Sequence, residues 1–326
     1  MRKKTNYLLL VVFFISVSCR NNSKIDRYQQ VTRFNINNLI IDSLSSLSVG
    51  NTEFSFTTDL TGLQTFPEFY SHGIPLETRS DWGLNRGEDP GNDYRYYLGL
   101  IGLYILKENG QEISINDIKD PVQMLNLWTG EIDSRFKIEG VPIHIKTVCH
   151  SDYDLISVKV ISSLIGKKRL RIKINFFPGM SSTTGYEFNS PEKHTSEILA
   201  DTNNYSIIAR NQNKNNYYVL IWRNSAQLKK ITQHMYYLEP QYVDSVYSFS
   251  CQFMKNLESG RMQNFGETEA ASKRSWDKFW NSVNAVEFQG FNEPGAKDLE
   301  RHVILSKYFT RIQSNVLLQR TKRGPT

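Results

Sequence analysis

The sequence contains two neighbouring segments, IHIKTV at residues 143–148 and LISVKVI at residues 155–161, that determine how the chain folds. The first alternates apolar and polar residues, and the second is a short apolar run with polar residues inside it. Successive side chains of a β-strand point to opposite faces of the sheet, so both segments predict half-buried strands. Their pattern is typical of antiparallel sheets.

Similar segments lie on both sides of this pair. They are found at residues 53–57, 170–177, 217–222 and 246–254. Turn-forming residues separate them, as at residues 107–110, 165–168 and 211–216. Because no long helical period interrupts residues 38–265, we predict a mainly β protein, built as a large antiparallel sandwich of two packed sheets.

The pattern changes to helical after residue 265. Residues 267–282 contain no Gly or Pro, and they place Ala271, Trp276, Phe279 and Trp280 near one stripe. A short strand-like run follows at residues 285–288. A second helix is predicted from near Pro294 to residue 313, because Pro suits a first helical turn and apolar residues then recur at helical spacing. We therefore expect two helices at the C-terminal end.

Composition excludes several classes of protein. The 326 residues are 39% hydrophobic and 22% charged, which is typical of neither a disordered chain nor a polytopic membrane protein. The net charge of +6 comes from the two ends, since residues 19–319 contain 33 basic and 33 acidic residues. A nucleic-acid-binding domain normally has a basic body, so we expect no nucleic-acid partner.

The N-terminus predicts export. Arg2, Lys3 and Lys4 precede an apolar run at residues 8–15, which is too short to span a hydrocarbon core of about 30 Å. The residues SVSC that follow resemble the lipobox of bacterial lipoproteins, in which Cys19 would carry the lipid. We therefore predict a signal peptide over residues 1–18 and a lipid-anchored tether over residues 19–37. An ordinary signal peptide with an incidental cysteine is the alternative. Either way the protein is expected to be exported, and the anchor would hold it on a membrane facing the periplasm or the cell surface.

The remaining cysteines, Cys149 and Cys251, lie in strand-like runs, and they are expected to form either one disulfide or two buried thiols. Neither they nor the scattered histidines have the spacing of metal ligands. No phosphate-binding loop, nucleophile elbow or zinc-protease motif is present in the sequence. We expect no metal and no cofactor.

Residues 47–83 contain the most specific block of sequence, LSVGNTEFSFTTDLTGLQTFPEFY followed by a GIPL turn and SDWG. Here the chain resembles the N-terminal part of bacterial six-hairpin glycosidase-like proteins, exported glycoside hydrolases related to (α/α)6-barrel enzymes of the maltose-phosphorylase and fucosidase type. Further segments that resemble the family occur in the right order at residues 125–130, 147–151, 176–179, 275–280 and 300–313. The resemblance covers about residues 40–313.

The resemblance implies a galactose-mutarotase-like β-supersandwich over residues 38–265, followed over residues 266–313 by a linker helix and the first helix of a barrel. In the family the barrel supplies the acid and base carboxylates. This chain instead continues into an atypical basic tail over residues 314–326, so no catalytic residue of the family can be placed on it. We therefore expect the first barrel helix to pack on the sandwich or to remain exposed.

Five residues are candidates for saccharide contact. Sugars stack on aromatic faces, which favours Trp82 and Trp128, and carboxylates or amides bind hydroxyl groups, which favours Asp59, Asp81 and Gln64. Each has a structural alternative, namely packing for the tryptophans, turn capping for the aspartates and a structural role for Gln64.

Two hypotheses follow for the function. In the first, the chain is the N-terminal portion of an exported glycoside hydrolase, inactive alone unless a separate chain supplies the barrel. In the second, it is a non-catalytic carbohydrate-binding lipoprotein. In both, the expected partner is an oligo- or polysaccharide.

Overall fold

The structure is a computed structural model. It describes residues 25–85, 94–95, 98–177, 180–181, 185–186, 194–212, 215–223, 225–241, 245–288, 293 and 295–321. Cys19, the predicted signal peptide and Pro294 lie outside the described residues. No helix among the described residues is long and apolar enough to cross a membrane.

Strands dominate the described part of the chain. They are β1 (Ile36–Asn38), β2 (Leu47–Gly50), β3 (Phe54–Thr58), β4 (Thr78–Ser80), β5 (Leu84–Asn85), β6 (Tyr94–Arg95), β7 (Leu100–Ile105), β8 (Lys119–Asn126), β9 (Glu131–Ile138), β10 (Val141–Cys149), β11 (Leu155–Ile161), β12 (Leu170–Asn175), β13 (Met180–Ser181), β14 (Gly185–Tyr186), β15 (His194–Asp201), β16 (Tyr205–Gln212), β17 (Asn215–Arg223), β18 (Ala226–Lys230), β19 (Met235–Pro240) and β20 (Val246–Met254). The predicted mainly β fold class is confirmed.

The strands form large antiparallel sheets. The largest has nine strands in the order β1-β8-β9-β10-β11-β20-β17-β16-β15. A four-stranded sheet has the order β18-β19-β12-β7, and β2, β3 and β4 form a third sheet. The segments quoted first, at residues 143–148 and 155–161, are neighbours near the middle of the nine-stranded sheet, where Ile145 pairs with Val160.

One continuous apolar core joins these sheets. Side chains of the nine-stranded sheet, such as Ile145 and Val160, belong to the same buried cluster as Leu103 and Ile172 of the four-stranded sheet. The opposite face of β10 carries the half-buried Lys146, because alternate residues of a strand face opposite ways. The nine-stranded sheet thus has a core face and an outer face.

The helices are α1 (Arg27–Thr32), α2 (Pro67–Tyr70), α3 (Ser163–Gly166), α4 (Phe265–Ser282) and α5 (Ala296–Thr321). Helix α4 begins with a capping box, in which Asn264 Oδ1 accepts from the Glu267 backbone N–H at 3.0 Å and the Glu267 carboxylate accepts from the Asn264 N–H at 2.8 Å. It packs on β10, β11 and β20, where Trp276 and Trp280 are buried.

Helix α5 packs on the sandwich through β2 and β3. In the part of α5 up to residue 312, the buried apolar residues are Ile304, Tyr308 and Ile312, whereas Leu299 is 53% exposed. Gly50 lets the helix approach closely, since a Cβ atom at this position would lie 3.2 Å from the Cβ atom of Ile312. Packing on the sandwich, one of the two expected outcomes for this helix, is therefore the one observed.

The segment predicted as a tether contains structure at its end. Helix α1 is capped by Asp26, whose carboxylate accepts from the Gln29 N–H at 3.0 Å. Gln30 donates to the Glu300 carboxylate at 3.0 Å, and Arg33 forms an ion pair with the same carboxylate. Because Glu300 lies on α5 and is buried, α1 is attached to the C-terminal helix.

Two other expectations are resolved. The strand-like run at residues 285–288 forms no strand. Its backbone instead bonds to side chains, since the Val286 carbonyl accepts from Gln30 and the Phe288 N–H donates to Glu300 at 3.4 Å.

Cys149 and Cys251 are both buried free thiols. They pair with Ile156 from opposite sides and are thus two strand spacings apart, about 10 Å, which is too far for a disulfide.

Candidate functional site

Trp128 lies on the turn between β8 and β9, and helix α4 holds this turn in place. Asn126 Oδ1 accepts from the Trp128 N–H at 3.0 Å, which fixes the turn locally. The Trp280 indole donates to the Leu127 carbonyl at 2.7 Å. Gly130 has φ +65° and packs against the indole of Trp276, so the end of the turn accepts no side chain. The turn therefore presents a half-buried Trp128 beside α4.

A groove of about 610 Å³ opens beside Trp128. Its lining residues come from helix α1 and the two residues before it, the β8–β9 turn and the C-terminal half of α4; they are Ile25, Asp26, Arg27, Tyr28, Trp128, Asp277 and Asn281. Tyr28 is 56% exposed and meets Trp128 edge to face, with ring centroids 5.4 Å apart. We call this the Trp128 groove.

Some polar groups of the Trp128 groove are already used and others are free. The Arg27 guanidinium donates to the Trp280 carbonyl at 2.8 Å and to that of Val283, so it serves to join α1 to α4. The carboxylate of Asp277 and the indole N–H of Trp128 bond to no described residue. The groove therefore offers an aromatic surface beside an uncommitted acceptor and an uncommitted donor.

Trp82 and Asp81 lie together elsewhere, in the short 3-10 helix Asp81–Gly83 after β4. The Trp82 indole donates to the Asp154 carboxylate at 2.6 Å, and Ser80 donates to the same oxygen. Burial raises the pKa of Asp154 to about 6, although both hydrogen bonds act in the opposite direction. Asp81 is half-buried next to this pair. The indole N–H of Trp82 therefore already donates a hydrogen bond within the protein.

Asp59 and Gln64 are inside the protein. The Asp59 carboxylate is fully buried and accepts from the backbone N–H groups of Thr61, Thr65 and Phe66 at 2.7–2.8 Å. Burial raises the pKa of Asp59 to about 6 against these hydrogen bonds. The Gln64 amide donates to the Thr57 carbonyl at 3.0 Å and accepts from the Ile101 N–H at 2.9 Å. Both side chains organise the loop at residues 59–66.

The five predicted residues therefore fall in three places. Asp81 and Trp82 adjoin, Asp59 and Gln64 share a buried loop, and Trp128 lines a groove formed with α1 and α4. Among the described residues, no three His, Cys, Asp or Glu side chains are grouped as metal ligands.

Sequence reasoning missed Trp222, which lines a second groove. This residue ends a strand-like run, where an aromatic side chain is ordinarily expected to be in the core. The signal that identifies it is the alternation of side chains along β17, in which Val219 and Ile221 are fully buried on one face, so that Trp222, which is half-buried, lies on the other.

The chain resembles solved structures of carbohydrate-active enzymes. A putative kojibiose phosphorylase from the human microbiome matches over 86% of this chain and 42% of its own, with a TM-score of 0.58 and 9% identity. A bacterial glucoamylase complexed with acarbose matches over 84% of this chain and 44% of its own, with a TM-score of 0.51 and 9% identity.

The matched part of these enzymes is their N-terminal β-sandwich domain, so the fold predicted from the family resemblance is confirmed. The chain spans less than half the length of either enzyme. Compared by sequence, it matches no protein-family profile and no curated protein.

Proposed function

We propose that this chain is the β-sandwich portion of an exported glycoside hydrolase and that it binds an oligo- or polysaccharide in the Trp128 groove. The observation that carries the proposal is the half-buried Trp128 beside the uncommitted Asp277 carboxylate. The apolar C–H face of a sugar packs on an indole ring, and a carboxylate accepts hydrogen bonds from sugar hydroxyl groups. Asn281 adds an amide oxygen at the same edge, while its amide nitrogen donates to the Asp277 carbonyl at 2.9 Å.

The fold supports the carbohydrate part of this proposal. Both enzymes named above act on or bind carbohydrates by their printed names, and the chain shares the fold of their β-sandwich domains. Fold similarity does not define a substrate, so the kind of sugar is left to the binding test.

We further propose that the 326-residue chain binds sugar without cleaving it. Inverting hydrolysis needs two carboxyl groups about 6.5–9.5 Å apart across the scissile bond. The family resemblance assigns those groups to the helical barrel. A non-catalytic carbohydrate-binding lipoprotein is the second candidate function, and the same groove supports it. Turnover that appears only when a second polypeptide supplies a helical barrel would favour the hydrolase over this alternative.

Calorimetric titration with kojibiose and with acarbose tests the binding site, because these ligands appear in the names of the two similar structures. We expect Trp128→Ala to weaken binding at least about tenfold, in line with the loss of one aromatic platform. Phe69→Ala is the control, since this aromatic residue is 37% exposed and lines neither this groove nor the one that contains Trp222. If neither ligand binds, a wider panel of neutral oligosaccharides is titrated. Binding by the wild type that is insensitive to Trp128→Ala would refute the site.

The lipid anchor is tested separately, and its motivation is the SVSC sequence at residues 16–19. We expect Cys19→Ala to shift the protein from the membrane fraction to the soluble fraction of the expressing bacterium. Asn22→Ala keeps the cysteine and the SVSC segment and serves as the control. Unchanged membrane association of Cys19→Ala would contradict the anchor without affecting the sugar-binding proposal.

A further inference from the structure

A second groove, of about 600 Å³, lies on the outer face of the nine-stranded sheet where α4 begins. It is lined by Lys146, Lys159, Trp222, Ser248, Asn264, Phe265, Gly266 and Glu269. The strands β10, β11, β20 and β17 are consecutive in the sheet, so they form its floor. We call this the Trp222 groove, and it is distinct from the Trp128 groove in every lining residue.

The strand register places the floor residues on one face of the sheet. Lys146 pairs directly with Lys159, and Lys159 pairs directly with Ser248. Trp222 pairs with Ser250, two residues from Ser248 on the same strand and therefore on the same face. Directly opposed residues of neighbouring strands have Cβ atoms about 4.5–5.5 Å apart and diagonal neighbours about 7–8 Å, so two ammonium groups and a hydroxyl lie in one row, and the indole lies one diagonal step beyond the hydroxyl.

The two lysines of this row differ in their partners. Lys146 forms ion pairs with Glu131 at 2.6 Å and with Asp133 at 3.8 Å. Lys159 forms no ion pair or hydrogen bond with any described residue, although it is half-buried. Like charges directly opposite in a sheet destabilise it, so the Lys159 ammonium lacks a counter-charge at a position where one is favourable.

The acidic residues near the groove each have a basic partner. Glu269 pairs with Lys273 at 2.8 Å, and Asp133 pairs with Arg135 at 2.9 Å. Glu131 is engaged by Lys146. The positive charge left over at the groove is therefore that of Lys159.

Trp222 and Ser248 are also uncommitted. The indole N–H of Trp222 and the hydroxyl of Ser248 bond to no described residue, and the Trp222 ring stacks on no described aromatic ring. An aromatic face, a free cation and a free hydroxyl thus line one open groove. This combination matches a sugar ring that carries an acidic group, because the ring stacks on the indole and the acid pairs with the ammonium.

We infer that the Trp222 groove binds an anionic sugar unit, with its ring on Trp222 and its carboxylate on Lys159. This inference rests on the proposed function, since it assumes that the ligand of the protein is a saccharide. It goes further by naming the chemical class, a uronic-acid-type unit, and by assigning it to a site separate from the Trp128 groove.

The test is a calorimetric titration with trigalacturonate and, as the matched ligand, its methyl ester, which keeps the rings and removes the charges. We expect trigalacturonate to bind and the ester to bind at least about tenfold more weakly. Raising the salt concentration should weaken the binding of trigalacturonate, because the charge pair is open to solvent.

Two variants locate the site. Lys159→Gln and Trp222→Ala should each weaken trigalacturonate binding at least about tenfold. Lys167→Gln is the control, because it removes one charge from an exposed lysine outside the groove. Circular dichroism and thermal melting establish that each variant is folded.

The outcomes separate this inference from the proposed function. Equal affinity for the acid and its ester, no binding of the acid, or a Lys159→Gln variant that binds like the wild type would overturn the inference. The Trp128→Ala variant should retain trigalacturonate binding. Absence of neutral-sugar binding, with trigalacturonate binding intact, would contradict only the proposal for the Trp128 groove. Absence of trigalacturonate binding, with neutral-sugar binding intact, would contradict only the inference for the Trp222 groove.

Discussion

The indole of Trp276 and the phenol of Tyr308 stack face to face, with ring centroids 4.6 Å apart and planes inclined by 10°. This contact joins α4 to α5, and the Tyr308 hydroxyl extends it to β2 by donating to the Ser48 carbonyl at 3.0 Å. The Arg311 guanidinium lies 4.6 Å from the Trp276 ring and 4.4 Å from the Phe279 ring. Two helices and a strand thus meet at one tyrosine.

The first prediction concerns this tyrosine. Tyr308→Phe removes a buried hydrogen bond and should lower the free energy of unfolding by about 1 kcal/mol. Tyr308→Ala also removes the stacked ring and should lower it by about 3–5 kcal/mol. Urea denaturation measures both. Leu44→Ala, at a residue 66% exposed, should change stability by less than about 0.5 kcal/mol. Equal effects of the two Tyr308 variants would contradict the importance of the stack.

The second prediction uses two glycines with similar backbone conformations. Gly130 and Gly140 have φ +65° and +79°, so alanine is strained at both. A Cβ atom at Gly130 would lie 2.1 Å from the Trp276 indole nitrogen, whereas one at Gly140 meets nothing within 4 Å. Gly130→Ala should therefore destabilise the protein by about 1–3 kcal/mol more than Gly140→Ala. Thermal melting of the two variants side by side measures the difference, and indistinguishable melting temperatures would count against the packing of the β8–β9 turn on α4.

The third prediction concerns pH. Burial, the Arg210 guanidinium and His234 lower the pKa of His194 to about 3. The ring stacks on His234 at 3.7 Å, and its Nδ1 atom lies 2.6 Å from an Arg210 nitrogen. Between pH 3 and about 6.5 the unfolded chain binds a proton here that the folded protein does not, so this group lowers stability as the pH falls.

Denaturation of wild type and His194→Gln between pH 4 and 7 tests this. The wild-type advantage over the variant should shrink as the solution becomes more acidic. Asp59 and Asp154, with pKa values of about 6, contribute the opposite slope between pH 3.8 and 6 in both proteins, so they cancel in the difference. A wild-type advantage that stays constant over this range would show that His194 is not held neutral.

The fourth prediction concerns the thiols. Burial raises the pKa values of Cys149 and Cys251, and both residues are almost inaccessible to solvent. In a Cys19→Ala variant we expect no rapid reaction with a thiol reagent in the native state and reaction of both thiols in denaturant. The result should be the same without prior reduction. A reactive thiol in the native state would contradict the observed burial, and absence of thiols after denaturation would indicate a disulfide.

The strands and α4 could be predicted because their signals are local. Alternation at residues 143–148 and the stripe that includes Trp276 follow from periods of two and about 3.6 residues. The capping box at Asn264 explains why α4 begins two residues earlier than its apolar stripe suggested. Helix α5 continues to Thr321, beyond the predicted end at residue 313.

The grooves could not be predicted in the same way. Asp26, Trp128 and Asp277 line one groove, yet they lie on α1's cap, a β-turn and α4, which only tertiary packing brings together. The burial of Asp59 could not be predicted either, because the sequence shows an aspartate in a turn but not the sheets that enclose it. Alternation along β17 indicates which face Trp222 occupies, but the lysines and the serine beside it come from neighbouring strands whose register the sequence does not show.

The attachment of α1 to α5 has a mechanical consequence. A force applied to the chain at residue 25 first loads the bonds from Arg27, Gln30 and Arg33 to the C-terminal helical region. These bonds precede β1, the edge strand of the nine-stranded sheet. Tension from the N-terminal side therefore reaches the contacts of α1 before it reaches the ladder between β1 and β8.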